Sequence, residues 1–466
     1  MNFQHIKGKF QVLDTRGMDQ NTVRTLWLLI AAVMGGTVWA NITTGIAFSG
    51  YWKKMGASDL LYGVVIALPS LANGFQFLAS YVLERTLKRK KVFLISGLIQ
   101  RSVWLPFALV PLLVPMEQPA LRLWAAAVLA LVSAATAPFM NVSFYSICND
   151  VVPIRIRGRY FATRSRIATM VGLLIGVLTG VLLDAFPGLT GYAFVFILAS
   201  VFGVADVCLF FLMKLPEMQP APGKTGVLRM LSTVIADKKY MRIVVFCTVW
   251  MFSVQISSPY FNVYMQNAMR LSNLQITLFS QVVSNGALVL AVTKWGGALD
   301  RFGSKPVIWV ACALNALHTL LWSFIGGKNI YGVMFVSIVA GSSWCAYDIG
   351  AQNLFMGQAG RENQTMYTAV YFMFTQLLGC ALGNAVGGFL LDNVFCRMEA
   401  WNFSMPGFSM TRYNFLFLFS GTLRFLSIFL LLPRIHEEGA SSAREMLGSA
   451  LAAFRRLAGS HLLKKP

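Results

Sequence analysis

The stretch WGGALDRFGSKPV (residues 295–307) places three charged side chains, Asp300, Arg301 and Lys305, between two long apolar runs. The chain around it has 466 residues, of which 56% are hydrophobic and only 12% are charged. Its mean hydropathy is +0.63, whereas an ordinary soluble domain carries about 25% charged residues. The composition therefore predicts a membrane protein, in which the charged stretch is a turn between two membrane-spanning segments.

Twelve apolar runs have the length that a spanning helix needs, about 20 residues for a hydrocarbon core about 30 Å thick. Strands of a membrane barrel would instead alternate polar and apolar residues in shorter segments. The runs of the first half are 25–51, 59–83, 91–115, 121–148, 164–186 and 190–214. Those of the second half are 241–268, 275–298, 305–327, 330–356, 364–392 and 413–433. The sequence thus predicts twelve transmembrane helices.

The basic residues are concentrated on one side of the predicted membrane. The formal net charge is +21, from 39 Lys and Arg against 18 Asp and Glu. If the chain starts inside the cell, most of these 39 fall in cytoplasmic segments, which is the positive-inside pattern. We therefore expect a multi-pass protein of the cell (plasma or inner) membrane with both termini in the cytoplasm. Its basic loops would contact membrane lipids with anionic headgroups, so the charge does not require a nucleic-acid partner.

The two halves of the chain carry matching segments. LERTLKRKKV (83–92) corresponds to LDRFGSKPV (299–307), and each closes the second run of its half. Run five has three glycines spaced by four residues, and run eleven repeats them; they are Gly172, Gly176 and Gly180, then Gly379, Gly383 and Gly387. Small residues at this spacing predict close helix packing, and their recurrence predicts a duplicated six-helix unit. The predicted order is a cytoplasmic N-terminal lead (1–24), an N-terminal six-helix bundle (25–214), a cytoplasmic linker (215–240), a C-terminal six-helix bundle (241–433) and a cytoplasmic basic amphipathic tail (434–466).

The charged turn has a defined pattern of glycine and charge. Gly296, Asp300, Arg301, Gly303 and Lys305 follow the order Gly, three residues, Asp, Arg, any residue, Gly, any residue, basic. With twelve runs in two similar halves, this pattern resembles the loop motif of the major facilitator superfamily of secondary transporters, over about residues 25–435. The resemblance implies an all-α membrane protein with twelve transmembrane helices in two pseudo-symmetric six-helix bundles.

The resemblance also implies a cytoplasmic gate. An acid at a helix end can accept hydrogen bonds from the free backbone N–H groups of another helix and pair with a nearby arginine. Asp300 would do so against the loop RIRGRYFATR (155–164), with Arg157 and Arg159 as partners. The first-half copy keeps its charges at Glu84 and Arg85 but has lost both glycines. The alternative is a solvated turn whose charges only follow the positive-inside pattern.

Polar residues within the apolar runs are the candidates for binding a solute. In the family, the first, fourth, seventh and tenth helices line the central cavity. The corresponding polar and aromatic candidates are Trp39, Asn41, Thr44, Asn141, Tyr145, Gln255, Ser258, Asn262, Trp344, Tyr347, Asp348 and Gln352. Aromatic rings beside amides and hydroxyls suit a neutral or zwitterionic, moderately polar organic solute.

Asp348 is the most informative of these candidates. A carboxylate deep in a membrane costs about 2.5–3.5 kcal/mol on insertion scales, so its presence needs an explanation. Asp348 shares a helix face with Gly341, Trp344 and Gln352 at three- and four-residue spacing. We expect it to accept a proton or bind a cation during coupled transport. The alternative is a structural carboxylate that bonds to a neighbouring helix.

Four further ionisable residues lie within predicted helices, at equivalent positions of the two halves. Arg101 corresponds to His318, and Asp206 corresponds to Arg424. The resemblance places helices three, six, nine and twelve at the periphery, away from the central cavity. We therefore expect Arg101 and Asp206 to pair with each other inside the first half and to have a structural role.

Several function classes lack support in the sequence. No phosphate-binding loop of the form G-x-x-x-x-G-K-[ST] occurs, and no Cys or His pair has metal-ligand spacing. We expect no cofactor, no metal and no enzymatic activity. The resemblance implies a monomer that moves a small organic solute by alternating access, coupled to a proton or sodium gradient. The alternative function is a transporter-like protein without solute flux, such as an assembly factor or sensor, or a lipid translocator.

Overall fold

The structure is a computed structural model that describes residues 19–115, 117–153, 156–215, 227–358, 364–405, 408–437 and 445. The predicted lead and tail therefore lie almost entirely outside the described residues, as does much of the predicted linker. The first part of the chain contains helices α1 (Gln20–Thr44), α2 (Ile46–Lys54), α3 (Asp59–Gly74), α4 (Gln76–Thr86), α5 (Arg89–Ser102), α6 (Trp104–Leu113), α7 (Pro119–Val151), α8 (Arg157–Ala185) and α9 (Leu189–Leu209).

The second part is also helical. It contains α10 (Val227–Ala236), α11 (Lys238–Ser257), α12 (Tyr260–Asn267), α13 (Asn273–Ile276), α14 (Val283–Phe302), α15 (Ser304–Trp322), α16 (Ile330–Gln358), α17 (Gln364–Phe374), α18 (Leu382–Leu390), α19 (Cys396–Glu399) and α20 (Arg412–Leu431). Short 3-10 turns follow α9 and α20, and π-helical turns cover Thr277–Val282, Thr375–Ala381 and Leu391–Phe395. Two short antiparallel strands, β1 (Ser404–Met405) and β2 (Phe408–Ser409), form a hairpin before α20.

The helices are long and apolar enough for a multi-pass membrane protein. Among the described residues, ten helices pass a test of length and hydropathy for membrane spans, and the bent pair α3 and α4 makes eleven. The ninth predicted run corresponds to α15, a helix of 19 residues that is not among them. The all-α architecture is thus as predicted, while the count of twelve spans stays a prediction.

Side-chain caps fix where several helices begin. Asp19 accepts from the backbone N–H of Asn21 at the start of α1, and Ser58 accepts from Leu61 N–H at the start of α3. Asp237 accepts from two backbone N–H groups at the start of α11. Such caps satisfy donors that have no partner inside the helix. Polar residues therefore mark the ends of otherwise apolar helices.

Some predicted runs are interrupted within their length. The first run breaks at Gly45, where a β-carbon would lie 2.4 Å from the Asn41 carbonyl oxygen. The seventh run breaks around Ser258 and Pro259, because proline lacks the N–H that continues a helix. The second run bends by 44° between α3 and α4. Apolar length alone does not reveal these breaks.

The chain divides into two compact units. The first comprises Met1–Lys224, Met265–Asn267 and Leu271–Thr277, and the second comprises the remaining residues. In the first unit, Gly172 of α8 faces Thr37 and Asn41 of α1. In the second unit the glycine stripe packs against the backbone of α11 through Gly379, Gly383 and Gly387. The second stripe thus makes the predicted close helix contact along its length, whereas in the first unit Gly172 meets α1 and Gly180 meets α13.

A second repeated contact closes each unit at the end of its last long helix. Lys90 Nζ donates to the carbonyl oxygens of Phe211 and Met213, at 3.2 and 2.8 Å. Lys305 Nζ donates to those of Pro433 and Ile435, at 3.4 and 2.6 Å. Each lysine thereby satisfies carbonyl groups that a helix end leaves without partners. Lys305, the basic residue of the charged turn, therefore bonds within its own unit.

Candidate functional site

A cavity of about 720 Å³ lies within the first unit. Helices α1, α3, α5, α7, α8 and α9 contribute to its walls, together with residues that flank them. This volume is in the range of pockets that hold small organic ligands, about 300–1,000 Å³. Most of the lining is apolar, and the polar side chains include Thr37, Gln100, Ser133 and Asn141. The cavity can therefore hold a solute that has both an apolar body and hydrogen-bonding groups.

Three charged side chains belong to the described wall of this cavity: Arg101 of α5, Arg164 of α8 and Asp206 of α9. Arg101 and Asp206 are buried, with exposed fractions of 7% and 6%. Arg101 Nη2 lies 3.4 Å from Asp206 Oδ2, so the pair expected from the sequence is present. The contact is a single long hydrogen bond, which is weaker than a bidentate arginine–carboxylate pair.

The rest of the Arg101 guanidinium has no polar partner. Its Nε and Nη1 atoms are buried and make no hydrogen bond among the described residues, and neither does Trp39 Nε1. The guanidinium carbon lies 3.6 Å from the centre of the Trp39 ring, which is a cation–π contact. A buried charged donor without an acceptor costs free energy, and such groups cluster where a ligand or water completes the bonding.

Glycines allow these side chains to meet. At Gly203, a β-carbon would lie 2.9 Å from Arg101 Cδ and 3.0 Å from Trp39 Cδ1. At Gly36, a β-carbon would lie 2.9 Å from Asp206 Oδ2. Larger residues at either position would displace the ring, the guanidinium or the carboxylate. The close approach of α1 and α9 thus builds this part of the wall.

Arg164 supplies a second cation. Its guanidinium carbon lies 4.6 Å from the centre of the Phe144 ring, and the side chain is half-buried. Among the described residues it makes no hydrogen bond and no ion pair, although its charge acts on Asp206. The wall therefore carries two guanidinium groups and one carboxylate, which gives it a net charge of +1.

The structure brings together four of the five candidates predicted for this unit. Trp39, Asn41, Thr44 and Asn141 all line the cavity. Tyr145 lies outside the described lining, with 59% of its surface exposed. Arg101 and Asp206 also line this cavity of the first unit, through α5 and α9, although the sequence placed both helices away from the central cavity. Sequence reasoning missed Arg164, Gln100 and Trp104 as lining residues.

In the second unit, α16 presents a carboxylate without a partner. Asp348 and Gln352 are exposed, and Asp348 makes no hydrogen bond or ion pair to any part of the chain that the structure describes. Trp344, one turn earlier, is half-buried with its ring 5.5 Å from that of Tyr347. Gly341 on the same face packs against α14, where a β-carbon would lie 2.0 Å from the Ser284 carbonyl oxygen. The predicted face is thus covered at Gly341 and open at Asp348.

The other candidates of the second unit differ in exposure. Tyr347 is buried, and its ring also lies 5.5 Å from that of Trp250, so it packs inside the unit. Ser258 is exposed at the break between α11 and α12, whereas Gln255 and Asn262 are half-buried. Ser258 is therefore the most accessible of the three.

A buried arginine in the second unit is bonded quite differently from Arg101. Arg424 of α20 is 1% exposed. Its Nη1 donates to Asn315 Oδ1 at 2.7 Å and to the Asn315 carbonyl at 3.3 Å. Its Nη2 donates to Ser257 Oγ at 2.9 Å and to the Val254 carbonyl at 3.2 Å. Neutral oxygens thus hold this cation, while Asp206 corresponds to it in the first half.

The predicted gate residues occupy an exposed turn. Asp300 is exposed and forms no hydrogen bond or ion pair with any residue in the described ranges, while Arg301 lies beside the Phe302 ring. Gly296 has open space around it. Glu84 and Arg85 are also exposed, at the end of α4. The side chains of Arg157 and Arg159, at the start of α8, lie outside the described part, so their pairing with Asp300 stays a prediction.

A residue with positive φ follows the second run in both halves, but the two backbone conformations differ. Gly303 has φ +88°, a left-handed conformation that favours glycine. At the corresponding place in the first half, Leu87 adopts φ +55° at the end of α4. Leu87 has ψ 11° and Gly303 has ψ 172°, so the first-half copy has lost both the glycine and its backbone conformation.

Other carboxylates cap helix starts in the way expected of Asp300. Glu437 accepts from the backbone N–H groups of Ser304 and Lys305, at 2.9 and 2.6 Å, and so caps α15. In the first unit, Asp184 near the end of α8 accepts from the N–H groups of Asn273 and Leu274, both at 3.0 Å, and caps α13. These contacts combine hydrogen bonds with a favourable helix dipole.

Comparisons with known proteins agree with this architecture. A family model described as the Major Facilitator Superfamily matches residues 28–384. The nucleoside transporter NupG superimposes with a TM-score of 0.66 at 15% identity, covering 90% of this chain and 100% of its own. A D-xylose-proton symporter gives 0.66 at 13% identity, with coverages of 90% and 99%. An auto-inhibited POT family peptide transporter gives 0.66 at 11% identity, with coverages of 91% and 98%. No curated protein sequence matches.

Proposed function

Because the chain belongs to the Major Facilitator Superfamily, we propose that it is a secondary active transporter that moves a small organic solute across a cell membrane. Transport would proceed by alternating access between the two six-helix halves. The observation that carries the proposal is the cavity of about 720 Å³, which contains Trp39, Asn41, Thr44 and Asn141. A protein that moved no solute would gain little from placing amides and hydroxyls around an internal space.

The class of solute follows from the lining. Aromatic rings and aliphatic side chains dominate the walls, and amides and hydroxyls supply a few directed hydrogen bonds. Two of the similar structures are a nucleoside transporter and a D-xylose-proton symporter, which also supports a polar organic solute. We propose a monomer in the cell membrane with cytoplasmic termini. The absence of enzymatic activity stays a prediction.

Asp348 is the proposed coupling residue. Its carboxylate is exposed on α16 and makes no hydrogen bond or ion pair within the described ranges, which argues against a structural contact with a neighbouring helix. An accessible carboxylate in an apolar helix can change its protonation as its surroundings change. We propose that proton uptake at Asp348 couples the gradient to solute movement.

The test is uptake by the purified protein in proteoliposomes, with sugars, nucleosides, amino acids and organic acids, with and without an inward proton gradient. Asp348→Asn should abolish accumulation driven by the gradient, while exchange of solute across the membrane persists. Glu117→Gln, which changes an exposed carboxylate outside the helices, is the matched control and should behave as wild type. Accumulation by Asp348→Asn with an unchanged pH profile would refute the coupling role.

A second outcome would change the proposed function itself. If folded wild-type protein moves none of these solutes, the alternative of a transporter-like protein without flux, or a lipid translocator, becomes the better account. A lipid translocator would instead move a fluorescent phospholipid between leaflets in the same vesicles. These two results separate the alternatives from each other.

A further inference from the structure

The charged wall of the cavity suggests which chemical group of a solute is recognised. We propose that Arg101 and Arg164 form an anion-binding subsite, which takes one carboxylate or phosphate group of a small organic molecule with an apolar body. The inference rests on the proposed function insofar as that molecule is the transported solute. It concerns a part of the first unit that the sequence assigned to a structural role.

The first step of the argument is the balance of charge. Arg101, Arg164 and Asp206 are the charged side chains in the described lining, so the wall carries one more positive than negative charge. Placing a net charge beside a low-dielectric space is costly unless a counter-charge approaches it. An anionic group in the cavity would provide that counter-charge.

The second step is the supply of hydrogen-bond donors. Arg101 Nε and Nη1 and Trp39 Nε1 are buried donors with no acceptor among the described residues. Arg164 likewise makes no hydrogen bond within the described ranges, and its Nε is buried. Guanidinium groups bind carboxylate and phosphate oxygens because their planar N–H groups match the spacing of those oxygens. The buried donors of Arg101 and Trp39 contribute positive potential, and the Nη atoms of Arg164, which are not among these buried atoms, are the donors that an acceptor-rich anion in the cavity would contact.

The third step concerns the body of the ligand. Trp39, Trp104, Phe48, Phe93 and Phe144 contribute rings to the lining. The Trp39 and Phe144 rings already carry the two guanidinium groups on their faces, so each cation is held in a fixed position. A ligand with an aromatic or aliphatic body would bury its apolar surface against the remaining rings. The site therefore fits a molecule such as an aryl phosphate or aryl carboxylate better than inorganic phosphate.

The experiment uses phenyl phosphate as the probe and benzyl alcohol as its uncharged counterpart. Binding to the purified full-length protein in detergent is measured by calorimetry and by the shift in melting temperature. The variant is Arg164→Gln. Arg166→Gln changes an exposed arginine of the same helix that is not in the described lining, and it is the matched control.

Wild type and Arg166→Gln should bind phenyl phosphate with equal affinity, and Arg164→Gln should bind it about tenfold or more weakly, as expected for loss of a hydrogen-bonded charge pair. Benzyl alcohol should bind all three proteins alike. Melting temperatures without probe establish that each variant is folded. Equal affinity of Arg164→Gln and wild type would overturn the proposal, as would equal weakening in Arg166→Gln. If folded wild type showed no binding up to about 10 mM phenyl phosphate, which is ten times a Kd of about 1 mM, the proposal would also be overturned.

Two further arms identify the source of the anion and separate this inference from the proposed function. In nanodiscs of phosphatidylcholine, addition of phosphatidic acid should leave phenyl phosphate binding unchanged if the natural ligand is a free solute. Competition by phosphatidic acid would support the same subsite with a lipid headgroup as its ligand. Binding with the expected variant pattern but no solute uptake would refute transport and leave the subsite. Uptake of a neutral solute without binding of the anionic probe would support transport and refute the subsite.

Discussion

Each half of the molecule buries an arginine, and the two arginines are bonded in opposite ways. Arg424 in the second unit donates four hydrogen bonds to neutral oxygens and has 1% of its surface exposed. Arg101 in the first unit makes one long contact with Asp206, and its Nε and Nη1 have no acceptor in the described part of the chain. Arg101 also borders a cavity.

The difference separates a structural cation from one that is available to a ligand. At Arg424, four hydrogen bonds to neutral acceptors spread the charge over several dipoles and leave only Nε without an acceptor among the described residues. A cation with one carboxylate and vacant donors beside an open space retains part of its capacity to bind. Ionisable residues stand at matching sequence positions of the two halves, while the local packing decides what each one does.

The largest effect is expected from Arg424→Ala. The substitution removes the four hydrogen bonds to Asn315, Ser257 and the Val254 carbonyl and opens a void in the second unit. Breaking such a buried network costs about 3–5 kcal/mol. For a unit of this size, that corresponds to a fall of about 6–20 °C in melting temperature. Differential scanning fluorimetry of the purified protein in detergent measures it.

The control for this prediction is Arg301→Ala, which changes an exposed arginine of the same unit and should shift the melting temperature little. Similar melting temperatures for Arg424→Ala and wild type would mean that the network does not stabilise the second unit. In that case Arg424 could not be described as a structural cation in contrast to Arg101.

An intermediate effect is expected when the first-unit pair is broken. Asp206→Asn leaves Arg101 and Arg164 without a counter-charge, whereas Arg101→Gln leaves Asp206 still near Arg164. Each substitution should cost about 1–3 kcal/mol, with Asp206→Asn the more costly. The cost is smaller than at Arg424 because the cavity lets water approach the charges. Melting temperatures of wild type, both single variants and the double variant give a double-mutant cycle for the two residues.

The double variant should show a coupling of about 0.5–3 kcal/mol between the two positions. As a control, Arg101→Gln combined with Asp348→Asn should be additive, because the two residues belong to different units. A coupling near zero between Arg101 and Asp206 would show that their contact contributes nothing to stability.

The helices themselves could be predicted from the sequence because a spanning helix needs a minimum apolar length. That rule located each of the described long helices, including α15. It could not locate the breaks at Gly45 or within Thr277–Val282, since apolar length is the same for straight and broken helices. The glycine stripes were predictable because small residues at four-residue spacing have few other uses in a membrane helix.

The cavity wall could be predicted only in part. Amides and hydroxyls stand out in an apolar run, so Asn41, Thr44 and Asn141 were found. Arg101 was noticed but placed at the periphery, because lipid and protein interior are both apolar and the sequence does not tell which side of a helix faces the cavity. Arg164 follows a basic loop, and nothing in its neighbourhood indicates that it lies against Phe144.

The smallest effect in this series tests how the packing of α1 on α9 positions the first-unit pair. At Gly35 a β-carbon would lie 2.7 Å from the Phe202 carbonyl oxygen and 3.1 Å from Asp206 Cβ. Gly35→Ala must therefore move α9 or Asp206, at a cost of about 1–2 kcal/mol. Gly286→Ala is the control, because a β-carbon there meets nothing within 4 Å and alanine favours the helix. Gly35→Ala should lower the melting temperature and weaken the coupling between Arg101 and Asp206, whereas Gly286→Ala should leave the coupling unchanged and slightly raise the melting temperature. If both variants left the coupling intact, the position of Asp206 would depend on α5 and the cavity rather than on the spacing of α1 and α9.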